Sequence, residues 1–314
     1  MGLREDIIKM AKAEAADIIC FAPATRFERD DPIFSILPEV KTVICLAFRI
    51  LRGVYRGIEE GTTYYQFSTM GLETMEETVM PIALLRVCNL IEASGAIALP
   101  QRRHYTVMAE ADSTNPEAQN DAIFRGRTQE VQMRFEESAV LCGLGERGMN
   151  GTVLTDEFGP MVRYCFILTD AELEADPVKE PHLCDLCGAC AAACPGHAID
   201  PKTGEVDRWR CAVYYDGASG LKNPFMAPDA YAEFADRLAI IAGTADITPE
   251  KAVRIMAANA FYPSIQQGYQ ACICGRACDM DCYAHLEEKG VLTKHFKTPF
   301  RRREKWQFSI KDFE

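Results

Sequence analysis

Four thiols stand in the run Cys184-x-x-Cys187-x-x-Cys190-x-x-x-Cys194-Pro195. Gaps of two residues let neighbouring thiolates wrap one iron–sulfur cubane, and in this bacterial ferredoxin spacing the fourth thiolate reaches a second cluster. Pro195 turns the backbone away after the last ligand. The chemistry this implies is movement of single electrons.

A second dense group follows, Cys272-x-Cys274-x-x-x-Cys278-x-x-x-Cys282, with Cys211 between the groups in Trp209-Arg210-Cys211-Ala212-Val213-Tyr214. Two 4Fe–4S clusters need four thiolates each. The run supplies one set, so the other comes from Cys211, Cys272, Cys274, Cys278 and Cys282, with one to spare. In ferredoxin-like pairing the first three cysteines of a run share a cluster with the last of the partner group. Cys184, Cys187, Cys190 and Cys282 then hold one cluster. Cys194, Cys211, Cys274 and Cys278 hold the other, with Cys272 as a substitute. Structural zinc is the rival reading, since Zn²⁺ also takes four cysteines.

Fourteen cysteines in such a chain read as metal ligands and buried apolar residues, not as a disulfide frame. Cys20, Cys45, Cys88, Cys142 and Cys165 are isolated among Ile, Leu, Val and Phe and read as small core hydrophobes. All the others lie at or after Cys184, so metal chemistry occupies the last two-fifths of the chain.

Elements must position these ligands. Residues 3–19 have helical periodicity, and a long helical pattern runs over 70–92 and ends at Gly95. Residues 41–48, 96–99 and 161–168 read as strands, the second stopped by Pro100, and 131–141 as a further helix. Strands alternating with long helices predict an α/β or α+β layer structure for the first part of the chain. The prolines and charges of 175–181 mark a linker and divide the chain into 1–176 and 177–314. Helices are expected at 229–242 and 249–260, the second with Thr248 as N-cap and Pro249 at its first position.

The 314 residues, 48% hydrophobic and 25% charged, suit a soluble globular protein with a substantial core. A net charge of −12 argues against general nucleic-acid affinity. No run of eighteen apolar residues predicts a membrane span, and the first residues lack the apolar core of a signal peptide. A cytoplasmic protein is expected.

Gly143-Leu144-Gly145-Glu146-Arg147-Gly148 matches G-x-G-x-x-G, but a dinucleotide site needs a strand before it and a helix opening inside it. The preceding segment is helical in pattern, and the following one carries turn and strand chemistry, so the match is not read as a Rossmann site. The glycines imply a backbone that bends tightly or approaches something closely.

Read with Gly148-Met149-Asn150-Gly151, then Leu154-Thr155-Asp156-Glu157-Phe158-Gly159-Pro160, Leu168-Thr169-Asp170 and the cysteine run, that segment resembles the reductive dehalogenase and epoxyqueuosine reductase superfamily. Leu37-Pro38-x-x-Lys41-Thr42-Val43-Ile44 and Tyr64-Tyr65 extend the resemblance towards the N-terminus. The resemblance implies an α+β protein, with a nitroreductase-like sandwich domain followed by a ferredoxin-like domain holding two 4Fe–4S clusters. It implies a cobalamin with its lower base detached, lying against Gly143, Gly145, Gly148, Asn150, Gly151 and Gly159. Electrons would pass from an outer cluster to an inner one and on to cobalt, and the protein would bind, orient and exclude water.

Departures narrow the reading. Exported dehalogenases carry a twin-arginine signal, and none is seen. Epoxyqueuosine reductases carry an acidic proton donor where this chain has Gln129 and Glu130, and a tRNA-gripping tail that this sequence does not show. A small organic substrate is therefore expected, and a nucleic acid is not. The electron donor would be external, such as a ferredoxin or flavodoxin. Reductive cleavage needs an acid near the acceptor; Tyr65, Tyr64 and Tyr105 are the candidates, with Arg102, Arg103 or His104 as neighbours able to lower a phenol. His182, His197 and His285 read as hydrogen-bond donors beside the cysteines. The basic, aromatic stretch around Lys294 and Arg301 reads as a tail packed on an acidic body. Two other functions stand beside the reductase: an electron-transfer or activation protein serving a partner enzyme, and a tRNA nucleoside reductase.

Overall fold

Burial is unbroken from Thr42 to Phe48 in the strand Thr42–Arg49 (β2), because both of its faces are covered. The computed structural model describes residues 2–103, 131–258, 272–301 and 306–314. In it β2 pairs antiparallel with Ile18–Pro23 (β1) on one side and Val162–Thr169 (β6) on the other; β6 in turn pairs antiparallel with Ala98–Gln101 (β3). Side chains alternate between faces. Phe21, Ile44, Leu46, Cys165 and Ile167 meet the helices Leu3–Ala13 and Met80–Ala93 through Ile7, Ala11, Leu84 and Val87. Cys20, Cys45, Ala47 and Phe166 meet Phe135, Ala139 and Cys142, in and just after helix Phe135–Leu141. The sheet is thus a filling between helical layers, each fully buried large side chain contributing about 1.5–3 kcal/mol. The architecture is mixed α+β, as the sequence predicts.

Several boundaries differ from the sequence pattern. The first helix ends at Ala13, not at residue 19; Ala15 turns left-handed at φ 69°, and Ile18 already pairs with Ala47. Strand pairing has taken the apolar run that looked like a last helical turn. Pro100 lies inside β3 and does not stop it, which the outer position of that strand permits. The pattern over 70–92 is helical throughout, with wider i→i+5 winding over Gln66–Glu73 and Met75–Val79 before the regular helix Met80–Ala93. The helix expected at 229–242 is only Arg237–Ala242, because Tyr231 at φ 62° breaks it. Thr248 caps Pro249–Ala257 by accepting from Lys251 N, while residues 259 and 260 lie outside the described residues.

The linker is tied down. Asp176 accepts from Arg4 at 2.8 Å and from the Phe21 amide at 2.9 Å. The C-terminal part shares one apolar core with the first: Tyr55 and Phe67 meet Tyr283 and Phe300, with Tyr55 and Phe300 centroids 5.3 Å apart. Arg52 binds Glu59 at 2.7 Å, donates to the Thr298 and Pro299 carbonyls, and stacks on Phe300. Arg301 pairs with Glu60, and Trp306 donates to the Ile58 carbonyl. The tail's described cation at Arg301 is therefore spent on acidic residues of the body.

Candidate metal centre and adjoining cleft

The loop into the cysteine run bends at Leu186 (φ 59°) and Gly188 (φ 76°) before the short helix Ala189–Ala193 that carries Cys190. That helix packs on Ala277–Lys289, which places Cys278 and Cys282 one turn apart. Burial, then Asp279, then the thiols of Cys190, Cys184 and Cys187 push Cys282 up, and Cys282 packs with Cys184, Cys194 and Cys278 against the apolar cluster that holds Cys190. Burial pushes Cys211 up to about 12; Cys274 adds to this, Arg276 opposes it, and Cys194 adds again. Cys194, Cys211, Cys274 and Cys278 line one enclosed cavity, although they come from three separate stretches of chain. Cys272 is fully buried in the shared apolar core, with its Sγ 3.8 Å from that of Cys274, and does not line this cavity.

Backbone amides already point at two of these sulfurs. Met149 N donates to Cys184 Sγ at 3.4 Å and Ala198 N to Cys194 Sγ at 3.3 Å. Such donors suit thiolates bound to iron. Met149, Ala191 and Ile199 pack against Cys184, Cys190, Cys194, Cys278 and Cys282, so these thiols stand in an apolar surround. Cys187 is the exposed member, next to Leu186, which is 66% exposed. His285 Nε2 lies 3.0 Å from Asp185, and Lys289 Nζ is equally close, so this histidine ties the loop to the long helix. His182 bridges to Glu180 O and Asp156.

A second cavity, about 370 Å³, runs from Cys211 and Arg276 to Arg103, Glu136 and Tyr164. Arg103 donates to Glu136 at 2.7 Å and to Tyr164 Oη at 3.5 Å, and lies over the Phe135 ring. Burial pushes the Tyr164 phenol up; Arg103 opposes this and Glu136 adds to it. Burial also works against ionised Glu136, but the Arg103 charge and hydrogen bond outweigh it and hold the carboxyl below its ordinary range.

Tyr64 and Tyr65, named from sequence, are elsewhere. Tyr64 is buried in the shared core, donates to the Lys222 carbonyl at 3.0 Å and lines a separate pocket against Cys274. Tyr65 is 49% exposed on the surface. Tyr105, His104, Gln129 and Glu130 lie outside the described residues. Arg102 pairs with Glu77. Tyr164 was missed because one tyrosine on a buried strand carries no spacing signal.

The glycine segment also needs a different account. A Cβ on Gly143 would stand 2.2 Å from the Pro177 carbonyl, one on Gly145 1.9 Å from the Leu154 carbonyl, and one on Gly148 2.8 Å from Asn150 Oδ1. Gly159 abuts Leu286. The close approach is chain against chain. The bend's amides are spent as well: Gly148 N on Thr152 O, Gly151 N on Gly148 O, and Thr152 N on Asn150 Oδ1. Asn150 and Gly151 alone of the named set reach the charged cleft. Among the described residues the bend's glycines are met by the chain itself, and Asn150 and Gly151 are the members of the set that would border a group held in the cleft.

Residues 177–200 match the 4Fe–4S binding domain family, so this part of the chain is a 4Fe–4S binding domain. Its relatives are reductases of two named kinds. The chain is 45% identical to tetrachloroethene reductive dehalogenase of Desulfitobacterium hafniense over 71 residues, 20% of this chain and 13% of that protein. It is 39% identical to epoxyqueuosine reductase of Gloeobacter violaceus over 79 residues, 24% of each chain. The matches thus span a small part of these relatives. Among solved structures, epoxyqueuosine reductase from Bacillus subtilis aligns over 92% of this chain and 83% of its own, at 15% identity and a TM-score of 0.48. A catabolic reductive dehalogenase aligns over 86% and 37%, at 15% identity and a TM-score of 0.44. Among the described residues no helix is long and apolar enough to cross a membrane.

Proposed function

We propose that this chain is an iron–sulfur reductase that carries electrons through two 4Fe–4S clusters into the charged cleft, where a small organic molecule is reductively cleaved. The observation that carries this reading is the convergence of Cys194, Cys211, Cys274 and Cys278 on one cavity whose Cys211 also lines the cleft. Cys184, Cys187, Cys190 and Cys282 hold the outer cluster and the converging four the inner. Each cluster, when bound, stores and releases one electron at a time. Exposed Cys187 and Leu186 receive the donor, and the enclosed set keeps water from the inner sulfurs.

Cleavage of a carbon–halogen or carbon–oxygen bond consumes two electrons and one proton, giving a carbon–hydrogen bond and the leaving anion. Tyr164 supplies the proton from Oη. Burial keeps its phenol protonated until the substrate demands the proton. Arg103 Nη2 then faces the phenolate left behind, and Glu136 holds the guanidinium in place. The resemblance assigns a corrinoid as the terminal acceptor, but the spent amides of the bend do not support that seat, and no step here passes through one. The same spent amides favour a second reading, in which the clusters serve a partner enzyme and the cleft receives its substrate or prosthetic group.

Anaerobic purification with iron, zinc and cobalt analysis tests the first reading. About eight irons per chain and signals of two clusters on reduction are expected. Zinc, or about four irons or fewer, overturns it. Cobalt in the same preparation restores the corrinoid, and turnover of organohalides against epoxyqueuosine-bearing tRNA separates the substrate classes.

A further inference from the structure

Glu146 stands inside the G-x-G-x-x-G segment, is 4% exposed, and has no part in the reaction above. Its Oε2 accepts from His182 N at 2.5 Å and Leu183 N at 2.9 Å; its Oε1 accepts from Cys184 N at 2.7 Å. Three successive backbone N–H groups around one carboxylate form an anion nest, filled here by the chain's own side chain. The glycines before it explain its reach. Gly143 and Gly145 let the chain press against the Pro177 and Leu154 carbonyls, which brings Glu146 up to the segment that leads into Cys184.

The two cluster sites therefore face different charges. Asp279 faces both sets, Cys278 of the inner and Cys282 of the outer, and is neutralised by Arg276 through bonds of 2.7 and 3.1 Å, so it does not distinguish them as Glu146 does. Glu146 is held by neutral amides, with the half-exposed His182 ring 3.9 Å away. A buried negative charge disfavours an added electron, and amides spent on a carboxylate are not available to cluster sulfurs. Resting on the two-cluster reading, we propose that Glu146 positions Cys184 and holds the outer cluster at a lower potential than the inner, which sets the direction of electron flow. One electron moves from the Cys184 side to the Cys211 side, and no bond or proton changes hands.

The test is a redox titration followed by electron paramagnetic resonance on the full, anaerobically reconstituted chain, with Glu146→Gln beside wild type. Gln keeps one acceptor oxygen, removes the charge and turns an NH2 towards an N–H donor. One midpoint potential should move positive and the other stay put. Hydrogen exchange at His182, Leu183 and Cys184 should quicken roughly tenfold or more. Unmoved potentials at full iron content, or equal shifts of both, overturn the proposal. Should Glu146→Gln lose iron, the charge-conserving Glu146→Asp must retain it and keep the two potentials apart as in wild type; iron loss from both also overturns it. A wild type without two cluster signals would instead overturn the two-cluster reading.

Discussion

Asn150 donates its side-chain amide to the Asp279 carboxylate across 2.9 Å, joining the glycine-rich bend to the helix that carries Cys278 and Cys282. Asp279 is 3% exposed and also accepts from Nε and Nη2 of Arg276, whose own backbone is left-handed at φ 51°. Asp279→Ala leaves the Arg276 guanidinium buried without its partner. It should cost about 3–5 kcal/mol, against about 1–3 kcal/mol for Asn150→Ala. Denaturant unfolding of the anaerobic protein compares them, and equal losses would contradict the ion-pair account.

Cluster occupancy should divide by position. Cys282→Ala and Cys278→Ala should each remove about four irons, from different clusters, whereas Cys272→Ala should leave roughly eight. Iron analysis with low-temperature spectra of each variant reads this directly. Loss of a cluster in Cys272→Ala would move the inner ligand set by one residue.

Tyr164→Phe should slow turnover by about a hundred- to ten-thousandfold while dithionite still reduces the clusters. Burial first, against Arg103, raises the phenol, so the acid form persists through neutral pH and is lost only as pH climbs towards the raised value. The Tyr164-dependent rate should accordingly be flat from about pH 6 to pH 9 and fall above the ordinary phenol range, near 10. A fall centred near neutrality would assign the proton to another group.

The hydrogen bonds from His285 and Lys289 hold Asp185 well below the ordinary carboxyl range. A depressed folded value gives stability that is complete above the unfolded value, 3.8, and is lost as pH falls through the folded one. Wild type should exceed Asp185→Asn by under about 1 kcal/mol, since the partners are partly solvated. That margin should be present at neutral pH and vanish in acid. Chemical unfolding at several pH values measures it; a margin that grows on acidification would reverse the sign.

The cysteine run was legible because ligand spacing is local chemistry, and residues 177–200 match the 4Fe–4S binding domain family. β2 and β6 were legible as apolar runs. β1 was not, since Ile18 and Ile19 continue a helical pattern and only pairing with β2 decides otherwise. Tyr164 of β6 and Arg103, two residues beyond β3, meet in a contact that no motif encodes. The glycine bend misled for a physical reason: a missing Cβ looks the same whether the visitor is a ligand or the chain's own carbonyl.

Cys20, Cys45, Cys88, Cys142 and Cys165 all lie buried in the sheet layers. Burial first pushes Cys20 and Cys88 up to about 12, and Cys45, Cys142 and Cys165 are raised as well. Once the sandwich has closed, these sulfurs lie buried out of reach of incoming iron. Maturation thus acquires an order: the sheet must form before metal delivery, or the chain presents its scaffold thiols as decoys to the assembly machinery.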